Sequence, residues 1–228
     1  MEKKFILTDK FVINSFGIKL FQIKCTKSFK YAQKDDFGGY VEKEGNLDQK
    51  NDAWVSGNAW VFGNAWVSDN ARVSGDARVS GNARVFGNAR VSGNALVSGN
   101  ALVSGNAWVS GNAWVSSNAL VSGNAWVSGN ARVSGYARVS GNAWVSGDAD
   151  IENDNEHCGF DGFGSCNRHT HAYMTKEKKV EIICGCFRGS IEEFENKVEE
   201  THSGTVYEKQ YKSIINVIKI KFGLTDFT

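Results

Sequence analysis

From Ala53 to Ala149 alanine returns at every sixth position, seventeen times, and the unit it opens reads A-x-[VI]-S-G-N with few departures. A fixed short period leaves a chain few options, because each unit must bury itself against its neighbours; the region is therefore a solenoid. One unit is long enough for a short strand and a corner. Alternation along the strand sends Ala and Val to one face and the x residue and Ser to the other. The first pair is small and invariably apolar, as a narrow interior requires. The x slot holds Trp, Arg, Leu or Asp, a set that no single packed site accommodates, so these side chains are expected outside. Gly-Asn is expected to turn the corner, since both residues tolerate positive φ.

This hexad resembles the hexapeptide repeat of left-handed β-helices, in which three hexads make one triangular coil and the coils stack as parallel sheets. The stretch D-D-F-G-G-Y-V-E-K-E-G-N-L-D-Q-K-N-D-A-W-V, Asp35 to Val55, resembles the lead-in of YdcK-type bacterial and phage β-solenoids. The stretch I-I-C-G-C-F-R-G-S-I-E-E-F, Ile182 to Phe194, is similar to the small C-terminal domain attached to phage and prophage members. The resemblance implies a mainly β protein, a left-handed parallel β-helix with three hexads per coil, and a mobile-element setting. It implies little chemistry.

Three hexads per coil assign columns. Residues eighteen apart stack at roughly 4.8 Å, giving nearly six coils and a rod roughly 27 Å long. The first outward column is Trp54, Arg72, Arg90, Trp108, Trp126 and Trp144; the second is Trp60, Arg78, Leu96, Trp114, Arg132 and Asp150; the third is Trp66, Arg84, Leu102, Leu120 and Arg138. Four of the seven tryptophans fall in the first column. Stacked aromatics serve as ladder rungs, worth about 0.2–1 kcal/mol per neighbouring pair. A contiguous Trp and Arg surface also suits a protein interface, where those residues are typical anchors. The first column is thus the candidate binding site.

The flanks read as caps: residues 1–45 as an N-terminal β cap, 46–151 as the β-helix, and 152–228 as a C-terminal α/β cap. F-I-L-T and I-K-L-F-Q-I-K alternate like strands of a small sheet. The charged run from Lys24 to Asp36 reads as solvated surface, with an acidic or nucleic-acid partner for its lysines as the alternative. In the C-terminal region 169–175 and 179–187 are candidate strands. Two helices follow with capping boxes, Ser190 with Glu193 and Thr205 with Glu208. Ile191, Phe194 and Val198 form one apolar stripe; Tyr207, Tyr211, Ile214, Ile218 and Phe222 form another. These caps cover strand edges that an open coil exposes.

Function classes narrow accordingly. A net charge of +1 gives no generic attraction to nucleic acid or membrane, and no apolar run approaches membrane-spanning length, so a cytoplasmic protein is expected, with no sequence-specific nucleic-acid binding. Five cysteines without a small secreted scaffold favour reduced thiols. Acyltransferases of the hexapeptide class resemble one another in a catalytic histidine on the helix and loops that break its coils. Here His157, His169, His171 and His202 all follow the repeat, which offers no general base and no cleft; no catalytic residue, cofactor or enzyme activity is expected. Bulky Trp and Arg spoil the flat hydroxyl ranks that ice binding needs. Cys158, Cys166, His169, His171, Cys184 and Cys186 fall close together, but without a C-x-x-C knuckle, and no metal site is assigned to them. The reading that remains is a non-enzymatic, phage-type protein, expected to be homo-oligomeric, that docks on and inhibits a host protein or nucleoprotein complex, for example an antiviral defence nuclease. The alternative is a structural or self-assembling scaffold.

Overall fold

The computed structural model describes residues 2–224. The repeat forms strands of two residues each, from β4 (Trp54–Val55) to β20 (Asp150–Ile151), one in every hexad. Pairing is parallel and eighteen residues apart: Trp108 lies beside Trp126 and Val109 beside Val127. Three hexads therefore close one turn, and three parallel sheets run along about six turns. The interior is as narrow as the alanines required, since no Ala or Val of the repeat is more than 3% exposed.

Glycine makes the left-handed corner in all but two of the regular hexads. Gly129 has a φ of +66°, and a Cβ there would lie 2.7 Å from the backbone nitrogen of Gly147, one turn on. Where Asp69 or Ser117 takes the slot, the positive φ persists. The asparagines do not adopt it, contrary to the sequence expectation. They form ladders instead: amide nitrogens donate to the residue eighteen further on, as from Asn94 to Asn112 to Asn130 to Asp148 at 3.2, 3.2 and 3.3 Å.

At the N-terminal end β1 (Phe5–Ile13) and β2 (Lys19–Cys25) form an antiparallel hairpin, followed by β3 (Phe37–Val41). β3 pairs in parallel with β5 (Trp60–Val61). The expected capping strands therefore extend one solenoid sheet rather than building a separate one. Gly38 and Gly39 make the crossing possible, since Cβ atoms there would meet the carbonyl oxygens of Val55 and Ala59 at 2.6 and 2.7 Å. Lys4, 2% exposed, donates its ammonium to the carbonyls of Asn51 and Ala53, and burial lowers its pKa to about 8.

The C-terminal cap has four antiparallel strands where the sequence suggested two: β21 (His157–Phe163), β22 (Arg168–Met174), β23 (Val180–Cys184) and β24 (Phe187–Ser190). β21 carries two glycines and an aspartate in seven residues, which hide its strand pattern. One face of this sheet closes the solenoid, with Tyr173 and Ile183 joining the solenoid's apolar core. Ala172, Ile182 and Cys184 face the other way, against Phe194 and Val198 of α1 (Ile191–His202) and Tyr211, Ile214, Ile215 and Ile218 of α2 (Val206–Lys221). The Ser190–Glu193 capping box forms as expected. At α2, Thr205 caps Glu208 N, but Glu208 reaches back to Gly204 N rather than to Thr205. None of the described helices is long and apolar enough to cross a membrane.

Candidate functional site

The first column is one sheet, ordered from β4 at one end to β19 (Trp144–Val145) at the other. Trp108, Trp126 and Trp144 stack with ring centroids 5.2 and 5.1 Å apart and planes within 6° of parallel. The indole nitrogens of Trp108 and Trp126 donate to the hydroxyls of Ser92 and Ser110 at 3.0 and 3.3 Å. Outward Ser thus fixes the rotation of outward Trp on the next coil. Stacking covers the ring faces and leaves the edges to solvent, so Trp108 and Trp126 remain 38% and 36% exposed.

Both ends of the column are closed. Trp54 is only 4% exposed, because the N-terminal cap returns over it: Phe29 meets it edge-on at 5.4 Å, and Gly38 crosses where a Cβ would touch the indole. Trp54 is therefore structural core and offers no docking surface. Trp144 is half-buried beside Arg168, His169, Ile183 and Gly185 of the C-terminal cap. The open section is Arg72, Arg90, Trp108 and Trp126.

The arginines complete it. Arg72 lies over the Tyr31 ring at 4.8 Å. In the other columns Arg78, Arg84 and Arg132 sit over the indoles of Trp60, Trp66 and Trp114, eighteen residues before them, at 4.6, 4.9 and 5.0 Å. Such cation–π contacts are worth about 0.5–1 kcal/mol at exposed sites. Among the described residues of the six shaft arginines only Arg138 has a carboxylate within reach, Asp154 at 2.7 Å. Arg72, Arg78, Arg84 and Arg132 lie over aromatic rings, and neither they nor Arg90 has a carboxylate partner among the described residues.

A concavity that the sequence did not reveal lies on the second column. The hairpin tip, Asn14 to Phe16, overhangs the shaft and leaves a slot of about 270 Å³ against Trp60, Phe62, Arg78, Leu96 and Trp114. Phe16 is 79% exposed at its mouth. Only the hairpin's direction brings these residues together, and no periodicity encodes that.

The cysteine and histidine cluster divides across the C-terminal sheet. His157, His169 and His171 lie in the layer facing the solenoid; His171 stacks on His157 with centroids 5.3 Å apart. His169 bonds Asp161 through Nδ1 at 2.8 Å and His171 through Nε2 at 3.3 Å. Burial, then the neighbouring imidazoles, hold the His171 pKa well below its ordinary value; burial also lowers that of His157. Cys158 and Cys184 pack on the helix side, where burial raises the Cys158 thiol to about 11, and Cys166 and Cys186 lie exposed in turns. Among the described residues no three His, Cys, Asp or Glu side chains gather as a metal site.

The family model described as YdcK Beta solenoid repeat matches residues 65–81, 77–90, 89–104, 97–111 and 125–141. No curated protein matches the chain. Within the shaft between the two caps, residues 65–111 and 125–141 are thus matched as YdcK-type β-solenoid repeats.

Proposed function

We propose that the protein acts by binding rather than by turnover: the open section of its first column docks on a carboxylate-rich face of a host protein or nucleoprotein and inhibits it. The observation that carries this reading is the pairing of exposed Trp108 and Trp126 with Arg72 and Arg90, which have no carboxylate partner among the described residues. Arginine forks left open in this way match carboxylates bidentately, and Trp and Arg dominate binding energies at interfaces. The resemblance to phage members directs the search for a partner to host defence complexes, nucleases first. Capture from bacterial lysate followed by titration of the purified partner tests it. Replacing Arg72 and Arg90 with Gln, and Trp108 and Trp126 with Ser, is expected to weaken binding by about 2 kcal/mol or more, the scale of an interface hot spot. Equal affinity of the variant and the parent protein refutes the assignment.

A second reading, a self-assembling scaffold, draws on Phe11, Ile13 and Phe16, which stand exposed on the N-terminal hairpin. Both solenoid ends are capped, so assembly would be lateral. Light scattering across a concentration series separates the two: a monomer at all concentrations removes the scaffold reading.

A further inference from the structure

A cavity of about 240 Å³ opens at the edge of the C-terminal sheet, between the turn linking β23 to β24 and the second half of α1. Its floor is Cys184, Phe194, Val198 and Tyr211, all buried. Phe194 packs edge-on against Tyr211 at 5.6 Å and meets Phe187 at 5.0 Å, so the apolar wall is continuous. Arg168, Lys197 and His202 line the rim and no acidic residue does; Lys197 is paired with Glu200 at 2.7 Å, which leaves Arg168 as the cation open to a ligand. The register that pairs Thr170 with Cys184 brings Arg168 to the mouth. Gly185 lets the guanidinium lie over the turn, since a Cβ there would come within 2.5 Å of Arg168 Nη1.

We propose that this cavity binds a small apolar carboxylate, with its hydrocarbon body on Phe187, Phe194 and Val198 and its carboxylate on Arg168. Three features favour that class. The volume lies below the roughly 300 Å³ at which drug-sized sites begin, which limits the ligand to a short chain or a single ring. Arg168 has no carboxylate partner among the described residues, whereas Arg138 and Arg188 have Asp154 and Glu181; its neighbours are the weakly accepting thiols of Cys186 and Cys166, which a carboxylate outcompetes for the fork. At the C-terminal end of α1, which would repel an anion, the last carbonyl, that of His202, is occupied, because it accepts from Thr205 N and Oγ1 at 3.0 and 2.6 Å.

The test titrates the full chain with octanoate, 1-octanol and octylamine by calorimetry. Octanoate is expected to saturate one site, with 1-octanol and octylamine at least tenfold weaker. Arg168→Gln is expected to weaken octanoate at least tenfold while leaving the 1-octanol affinity and the melting temperature unchanged, and Lys197→Gln to change octanoate affinity less than threefold. Octanoate is also expected to slow alkylation of Cys186, which lines the same mouth. Absence of saturable octanoate binding, equal affinity for all three probes, or full octanoate affinity in the Arg168→Gln protein overturns the proposal.

Discussion

The solenoid and its C-terminal cap both bury a β-sheet layer, but they satisfy polar groups in opposite ways. Along most of the solenoid polar groups find partners one turn away, and the exceptions, Arg132 Nε, Trp144 Nε1 and Asp150 Oδ1, sit on the last coils, beside the cap. Trp108 N bonds Ala125 O at 2.9 Å, the Asn amides run in ladders, and the indoles of Trp108, Trp114 and Trp126 bond Ser. In the cap, where nothing repeats, both ring nitrogens of His157 and Nε2 of His171 are buried without a protein partner. Repetition along one axis solves the hydrogen-bonding problem once and reuses the answer, whereas an end must be built residue by residue. Buried groups that titrate therefore collect in the cap, and the shaft is expected to be the more uniform and pH-insensitive half.

The largest effect is expected where the solenoid has no room for exceptions. Val109 is fully buried between Val91 and Val127, and Val109→Asp places a carboxylate in the apolar tube with no partner, at a cost of about 3–5 kcal/mol. Trp108→Ser, its outward neighbour, loses one stacked ring and one exposed hydrogen bond, about 1–2 kcal/mol. Thermal denaturation of the two variants measures the contrast; equal losses would mean that the outward ladder stabilises the rod as much as its core does.

Corner glycines give the next contrast. Gly129→Val combines a positive φ with backbone approach at 2.7 Å and is expected to cost about 2–3 kcal/mol. In the cap, Gly204 also has a positive φ, but open space surrounds it, so Gly204→Ala is expected to cost about 1 kcal/mol. Similar costs at both sites would show that φ alone, and not the stacking of coils, demands glycine in the shaft.

How far the sequence carries follows the same division. Ala and Val inside, Trp and Arg outside, and eighteen-residue columns are all legible, because each depends on neighbours at a fixed offset. The burial of Trp54 is not, since it depends on Phe29 and Gly38 returning across the first turn. The asparagine's role is hidden for a related reason: its side chain answers to the next coil, while turn propensity describes only its own backbone. In the cap, His169 and His171 share a face as their spacing suggests, but stacking on His157 requires the register of β21 against β22, and β21 carries too many glycines to show itself as a strand.

pH separates the two halves directly. His171 and His157 have folded pKa values below the ordinary 6.5, so between 6.5 and those lowered values the unfolded chain binds protons that the folded cap does not. Stability from these groups is fully present above 6.5 and is lost as pH falls through the lowered values. Hydrogen exchange at pH 7.5 and pH 5.5 is expected to show loss of protection in β21 and β22, with the shaft strands unchanged. His171→Phe is expected to reduce the cap's response. Uniform loss along the whole chain would deny the cap its separate titration.

The smallest effect tests whether the ladders strengthen the solenoid or only decorate it. Asn112 donates to Asn130 and accepts from Asn94, both bonds exposed, and water replaces much of what Asn112→Ala removes; the expected cost is about 0.5–1 kcal/mol. The chain supplies a complementary site. Along another corner the ladder runs from Asn64 through Asn82 and Asn100 to Asn118 and meets Tyr136, which is 76% exposed and takes the slot of the next asparagine. Tyr136→Asn extends that ladder by one rung and is expected to raise stability by about 0.5 kcal/mol. Aligned amides polarise one another, so loss at the middle of one ladder should exceed gain at the end of another. Denaturant titration resolves differences of this size in paired measurements. If Asn112→Ala is silent while Tyr136→Asn stabilises, the gain reflects removal of an exposed aromatic from a tight corner, and the ladders have no cooperative strength.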